Sequence, residues 1–252
     1  TGLATAHHLK KAGKDFLILE QADRVGGVIK TVNEKGYIYE MGPNSGVIGN
    51  AEVNRLFDDL KGDCELEEAN DNVKKRYVLK AGKWEALPGS LKAAVKTPLF
   101  TLKDKFSILA EPFRKAGSNP HETLAELVKR RMGQSFLDYA IDPFIIGVYA
   151  GDPNRLVPKY ALPKLYNLEQ EYGSFIRGTI AKAKIPKTER DLLASKKVFS
   201  ARQGLGNLAE ALTKAIGSKH ITLQADNVTI LPHNGKWEIK YNTPHGEHTY
   251  HA

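Results

Sequence analysis

Residues 1–27, Thr1-Gly2-Leu3-Ala4-Thr5-Ala6-His7-His8-Leu9-Lys10-Lys11-Ala12-Gly13-Lys14-Asp15-Phe16-Leu17-Ile18-Leu19-Glu20-Gln21-Ala22-Asp23-Arg24-Val25-Gly26-Gly27, carry the pattern on which the fold turns. Leu3, Ala4, Ala6, His7 and Leu9 fall on one helical face, and Gly13 stands where a helix-stop glycine belongs. Asp15 to Glu20 then encloses the continuous apolar run Phe16-Leu17-Ile18-Leu19, which suits a parallel strand buried on both faces. Helix, strand and a terminal acidic residue form the later part of a dinucleotide-binding unit. Gly2 occupies the position of the last fingerprint glycine, where a missing Cβ lets the helix approach the sheet. Glu20 follows it by 18 positions, where a carboxylate accepts hydrogen bonds from the adenosine ribose hydroxyls. The first strand and the first two glycines of the fingerprint are expected to precede residue 1. The competing reading is an ordinary βα unit that ends in a surface glutamate.

The next stretch separates flavin from nicotinamide chemistry. Gly26 and Gly27 can press backbone amides against a pyrophosphate, with Arg24 or Lys30 as counter-charge. Met41-Gly42-Pro43-Asn44-Ser45 reads as a rigid turn able to present backbone to a flavin ring, or simply as a Gly-Pro turn. Farther along, residues 51–61 form an amphipathic helix, and 76–87 form a hairpin around the turn Lys80–Lys83. Helical periodicity then dominates from about Leu91 to Lys197 before strands return at 221–252. The fold class expected is α/β, a Rossmann-like FAD-binding domain interrupted by a mostly helical insert. The boundaries fall at residues 1–87, 88–197 and 198–252.

Composition narrows the function classes. The net charge of +8 is concentrated: residues 80–200 hold 21 Lys and Arg against 12 Asp and Glu. Such a region attracts phospholipid headgroups, nucleic acid or a polycarboxylate, or else is a solvated basic surface. No aromatic platform or helix-turn-helix signal accompanies the charge, so nucleic acid is not expected as a partner. One cysteine, Cys64, excludes an internal disulfide and fits a reducing compartment. No apolar run reaches the roughly 20 residues a membrane span needs. His245, His248 and His251 do not share one face of a strand, and no metal site is expected there. His7 and His8 read as helix surface and packing. No triad or acid–base pair stands out, and no catalytic side chain is assigned.

Taken together, Gly2-Leu3-Ala4, Leu17-Ile18-Leu19-Glu20 and Arg24-Val25-Gly26-Gly27 resemble the FAD-binding start of the flavin amine oxidase superfamily. Four further segments resemble its porphyrinogen-oxidising branch: Glu40 to Ser45, Lys75-Arg76-Tyr77-Val78, Gly147-Val148-Tyr149-Ala150-Gly151-Asp152-Pro153, and Gly204-Leu205-Gly206-Asn207-Leu208. The resemblance covers the chain but only about the first half of a typical member, so the piece is expected to be inactive alone. It implies that Gly2, Glu20, Gly26 and Gly27 hold the ADP half of FAD. It further implies that Gly42 and Pro43 line the flavin and that the backbone of Val228 meets the adenine. Arg76 would grip a propionate of the tetrapyrrole, and Gly147 to Gly151 would form part of the substrate-cavity wall. For Arg76 the alternative is an exposed strand arginine beside Lys74 and Lys75. The implied reaction is oxidation of a porphyrinogen in haem synthesis, by hydride transfer to the flavin with O2 as final acceptor. Whether the substrate is a protoporphyrinogen or a coproporphyrinogen stays open, as does oligomeric state. Another flavin amine oxidase, of polyamine oxidase or carotenoid desaturase type, is the rival, and Arg76 and the Gly147–Pro153 run argue against it.

The resemblance also makes the segment from about 88 to 195 a helical domain that rests on an anionic membrane surface, which would make the protein cytoplasmic and peripheral. Leu99, Phe100, Leu102, Phe106 and Leu109 beside Lys92, Lys96, Lys103 and Lys105 are the candidate contact, although such a stripe is more often core. Two departures stand out: Thr1 where serine is commoner, and Lys30 where arginine is, which loses bidentate geometry.

Overall fold

The computed structural model describes residues 1–70, 76–186 and 188–252. The chain divides into two compact units, Thr1–Asn70 with Lys187–Ala252, and Asp71–Pro186. The first unit opens with α1 (Gly2–Lys11), β1 (Ile18–Leu19), β2 (Thr31–Glu34), β3 (Tyr37–Glu40), β4 (Gly46–Val47), α2 (Ala51–Asp59) and β5 (Leu66–Glu68). The second unit contributes β6 (Tyr77–Lys80), β7 (Lys83–Ala86), α3 (Leu91–Lys96), α4 (Leu102–Leu109), α5 (Leu124–Met132) and α6 (Gln134–Phe136). It continues, after a π-helical turn at Leu137–Ile141, with α7 (Asp142–Tyr149), α8 (Pro158–Ala161), α9 (Pro163–Tyr172) and α10 (Phe175–Ala183). The chain then returns to the first unit through α11 (Glu189–Leu192), β8 (Val198–Ala201), α12 (Gly206–Ile216), β9 (Ile221–Thr222), β10 (Asp226–His233), β11 (Lys236–Thr243) and β12 (Gly246–His251).

In the first unit β1 pairs in parallel with β9, Ile18 opposite Ile221. The apolar run yields a shorter strand than expected, half-buried rather than buried on both faces. A parallel pair needs a helical crossover, and α1 packs against α12. Lys10 of α1 donates to the last carbonyls of α12, Ala215 at 2.7 Å and Ile216 at 3.0 Å, where a cation offsets the helix C-terminal dipole. On its other side α1 is tied to α2: Lys11 Nζ donates to Asp59 Oδ2 at 2.6 Å, and His7 Nε2 lies 3.2 Å from the same oxygen. Those two hydrogen bonds hold the Asp59 carboxyl below its usual range. Sheet β4–β8–β5 and helices α2 and α12 enclose a core built on Ile48, Phe57, Leu60, Phe199 and Leu212. Cys64 lies buried in the same core, and burial pushes its thiol up to about 11. The β10–β11–β12 meander completes the unit.

The first compact unit leaves off at Asn70, earlier than residue 87. Hairpin β6–β7 belongs to the helical unit, because Val78 is buried there with Leu99 and Phe100. Lys80 Nζ reinforces this, donating to the Leu99 carbonyl at 2.7 Å and lying 4.5 Å from the Tyr139 ring centre. A hairpin with one apolar face must bury that face somewhere, and periodicity does not say against what. At the other end residues 188–197 belong to the first unit, where Lys196 and Lys197 exchange backbone hydrogen bonds with Ile48, both 3.0 Å.

The helical unit is centred on Leu124, Leu127, Val128 and Ile145 of α5 and α7, and on two fully buried charged residues, Arg131 and Glu111. The Arg131 guanidinium pairs with the Glu111 carboxylate and donates to the carbonyls of Arg114 at 2.9 Å and Gly173 at 2.8 Å. Glu111 also accepts from Ser174 Oγ at 2.5 Å and from the Phe175 and Ile176 amides at 2.9 and 3.2 Å. Burial is the largest influence on Glu111 and opposes ionisation. The hydrogen bonds from Ser174, Phe175, Arg131 and Ile176 outweigh it together and hold the carboxyl below its usual range.

Candidate functional site

The mouth of the parallel pair holds a cavity of about 340 Å³. Gly2, Leu3 and Ala4 of α1 line it, with Ile18, Leu19 and Glu20 at the end of β1, Gly26 and Gly27 in the following loop, and Leu208, Ala209 and Leu212 of α12. Four residues singled out from sequence thus meet in one space. Each wall follows from local structure. The first turn of α1 leaves backbone N–H groups without intrahelical partners at the positive end of the helix dipole, which suits a phosphate. Glu20 is fixed by its backbone on both sides, its N–H donating to the Thr222 carbonyl at 2.9 Å and its carbonyl accepting from Ala225 at 3.0 Å. Its carboxylate accepts from the Ala22 amide at 2.9 Å, which orients it at the edge of the cavity.

Gly26 has φ +101°, and a Cβ there would stand 2.9 Å from the Ile29 carbonyl oxygen and 3.3 Å from the Ala209 side chain. Arg24 holds this loop in shape. Its guanidinium donates to the carbonyls of Val25 at 3.0 Å, Ile29 at 2.9 Å and Gly27 at 2.5 Å. Arg24 is therefore committed to the loop backbone, and the role of a free counter-charge that the sequence allowed it is not what its contacts describe.

The remaining cofactor candidates lie outside this lining. Gly42 and Pro43 are exposed in the turn after β3, where the Met41 amide donates to the Lys30 carbonyl at 2.8 Å and Gly42 packs on the Val28 carbonyl. Val228 is exposed on β10, two positions after Asp226, whose Oδ1 lies 3.4 Å from Gln21 Nε2. Ala209 and Leu212 were not singled out from sequence, and Leu208 only as the last residue of the Gly204–Leu208 segment. Their spacing of three and four marks a helix face, but an apolar helix face gives no sign of lining a cavity rather than core.

In the helical unit Arg76 precedes β6, exposed, with its guanidinium 5.8 Å from the Phe144 ring centre. Phe144 lies one helical turn before Gly147 on α7, so Arg76 stands by the same helix as the glycine candidates. Lys74 and Lys75, its expected neighbours, lie outside the described residues. A Cβ at Gly147 would meet open space, whereas one at Gly151 would make ordinary contacts with Leu156 and Ile145. The Gly147–Pro153 run ends α7 with Ala150 in a left-handed cap and then supplies the Pro153 carbonyl to the Ala125 amide at 2.9 Å.

The basic stripe divides. Leu99 and Phe100 are core, while Leu102, Phe106 and Leu109 of α4 are 74%, 70% and 66% exposed, with Lys92, Lys96 and Lys103 also exposed. Lys105 turns inward, donating to the carbonyls of Val95 at 2.7 Å and Thr97 at 3.0 Å. Among the described residues no helix is long and apolar enough to cross a membrane. At the end of the chain His248 stacks on Tyr241 at 5.3 Å, and His251 sits 5.8 Å from His233.

The sequence pattern of the family described as flavin containing amine oxidoreductase matches residues 1–252. The chain belongs to this family. Its members are FAD-dependent oxidoreductases, and the cavity suits the ADP half of that cofactor: an open helix start, an oriented carboxylate, and a loop that approaches too closely for a Cβ at Gly26. Within the family, the chain is 35% identical to protoporphyrinogen oxidase 1, chloroplastic, of Arabidopsis thaliana, over 97% of this chain and 47% of that protein. It is 29% identical to coproporphyrinogen III oxidase of Bacillus subtilis (strain 168), over 93% of this chain and 53% of that protein. A crystal structure from Exiguobacterium sp. 255-15 has the same fold, with TM-score 0.69 and 23% identity over 98% of this chain and 55% of that one. The chain spans about half the length of the curated relatives it matches.

Proposed function

We propose that the whole protein oxidises a porphyrinogen to a porphyrin with FAD as cofactor and O2 as final acceptor, protoporphyrinogen being the substrate favoured over coproporphyrinogen. The observation that carries the reading is the convergence of Gly2, Glu20, Gly26 and Gly27 on one cavity, in a chain whose relatives are named for porphyrinogen oxidation. When bound, FAD supplies the hydride acceptor for the saturated carbons of the macrocycle. The chain's own residues bind, orient and exclude water. The amides at the start of α1 and around Gly26 and Gly27 hold the pyrophosphate, and the Glu20 carboxylate accepts from the ribose hydroxyls. The backbone of Val228 meets the adenine, and Gly42 and Pro43 line the flavin. No acid–base side chain is required of this half.

Arg76 binds one substrate carboxylate through two parallel hydrogen bonds, and Gly147 to Gly151 form part of the substrate wall. Phe144 steadies the guanidinium at its present distance. In the whole protein Arg76→Ala raises the KM for the porphyrinogen while Arg76→Lys restores only part of it. An unchanged KM removes the assignment.

The exposed Leu102–Phe106–Leu109 stripe with Lys92, Lys96 and Lys103 around it supports peripheral binding to an anionic bilayer. The experiment for the reaction is anaerobic mixing of the whole flavoprotein with protoporphyrinogen and, separately, coproporphyrinogen, following loss of the oxidised flavin's visible absorbance. Rapid loss with either supports porphyrinogen oxidation, and the faster one identifies the substrate. No loss with both, against rapid loss with a polyamine, overturns it.

A further inference from the structure

Helix α12 begins without a cap of its own. Leu205 is its N-cap residue and makes no side-chain capping bond, and the sequence Gly204-Leu205-Gly206 holds none of the Ser, Thr, Asp or Asn side chains that usually serve. The orphan amides are satisfied from a different part of the chain. Thr31 and Glu40 face each other across the β2–β3 ladder. The Leu205 amide donates to Glu40 Oε1 at 2.7 Å, and the Gly206 amide donates to Thr31 Oγ1 at 2.7 Å. The Thr31 hydroxyl in turn donates to the Glu40 carboxylate, whose two oxygens lie 2.9 and 2.8 Å away, so the hydroxyl both accepts and donates while the carboxylate accepts from two groups. The carboxylate also lies at the positive end of the α12 dipole.

The approach is too close for side chains. A Cβ at Gly204 would stand 2.4 Å from Thr31 Cγ2 and 2.8 Å from Glu40 Oε1, and one at Gly206 would stand 2.9 Å from Thr31 Oγ1. The consequence runs along the first two turns of α12, because Leu208, Ala209 and Leu212 are a wall of the cavity that Gly2, Glu20 and Gly26 also line. Glu40 is in addition the residue immediately before the Met41-Gly42-Pro43 turn.

We propose that Thr31 and Glu40 are positioning residues for FAD: as a cap supplied across more than 160 residues of chain, they fix the start of α12 and thereby the width of the dinucleotide cavity. Neither is among the residues that line the cavity, so they act through the helix. The proposal rests on the FAD reading above.

The test is the dissociation constant for FAD of the cofactor-stripped whole protein, read by quenching of flavin fluorescence well below the melting midpoint of each variant. Thr31→Val, which keeps the shape and loses the hydroxyl, is expected to raise the constant about tenfold, and Thr31→Ser to restore it. Glu40→Gln is expected to weaken binding as well, because a neutral acceptor replaces a charged one. A merely structural role lowers the melting midpoint and leaves the constant alone. Values within about twofold of the parent for both Thr31→Val and Glu40→Gln, a difference of under about 0.5 kcal/mol, overturn the proposal. Should Glu40→Gln fail to fold, the Thr31 pair decides alone. Glu20→Ala separates the two claims: FAD binding weakened by Glu20→Ala but not by Thr31→Val overturns the coupling only. A parent protein that binds no FAD overturns the cofactor reading itself.

Discussion

Gly26→Ala is the substitution whose cost the geometry fixes most closely. At φ +101° an L-residue is strained by about 1–2 kcal/mol. The new methyl would also stand 2.9 Å from the Ile29 carbonyl, a backbone atom that the Arg24 guanidinium holds in place at 2.9 Å. Adding roughly 1 kcal/mol for that overlap gives about 2–3 kcal/mol in all. If the loop keeps its shape, the whole of this appears as lost stability, which for a chain of this size lowers the melting midpoint by several degrees. If the loop relaxes, the cost appears in FAD binding instead, weakened by up to about 30- to 150-fold. Gly27→Ala provides the comparison: its φ is +57°, no atom lies within 4 Å of the added Cβ, and only about 1 kcal/mol is expected. Thermal melts of the apo-protein and fluorescence titration with FAD, run on both variants of the whole protein, read both channels. Gly26→Ala matching the parent in both measurements would refute the reasoning, since the loop would then not hold the conformation from which the cost is drawn.

Glu111→Gln removes one of the two carboxylates paired with the buried Arg131 guanidinium and leaves Glu169 at 3.3 Å, so the loss is expected at the low end of the cost of breaking a buried pair, about 3 kcal/mol, read as an earlier urea midpoint for the helical unit. The Glu111 carboxylate also predicts a pH dependence. Its folded value lies below its unfolded one, so its contribution is complete above the unfolded value and is lost as pH falls through the folded one. Stability that is flat from neutral pH down through that window would contradict the assignment. On the surface, Phe106→Ser with Leu102→Ser should reduce co-sedimentation with anionic vesicles while leaving the unfolding free energy within about 0.5 kcal/mol of the parent, because both side chains are exposed. Equal sedimentation with neutral and anionic vesicles would remove the lysines from that account.

Sequence carried the cavity further than it carried its walls. The meeting of Gly2, Glu20, Gly26 and Gly27 around one cavity was legible, because the dinucleotide unit expected from the sequence sets residue types at fixed spacings. The wall from α12 was not, since Leu208, Ala209 and Leu212 have the pattern of any amphipathic helix. The cap from Thr31 and Glu40 was invisible for a sharper reason: local capping rules look within a turn of the helix start, and this cap comes from the end of a distant hairpin. Buried Arg131 and Glu111 escaped in the same way, because charged residues read as solvated until their partners are known. Leu102, Phe106 and Leu109 show the opposite failure. Periodicity grouped them with Leu99 and Phe100, and only the packing separates the outward stripe from the core.

The most direct test of the dinucleotide site uses ADP as well as FAD. Glu20 is assigned to the ribose of the ADP half, so Glu20→Ala in the whole protein should weaken ADP and FAD by the same factor, about tenfold for a lost charge-assisted pair of hydrogen bonds. Affinities for both that match the parent, or a loss confined to FAD, would contradict the placement of the adenosine against Glu20.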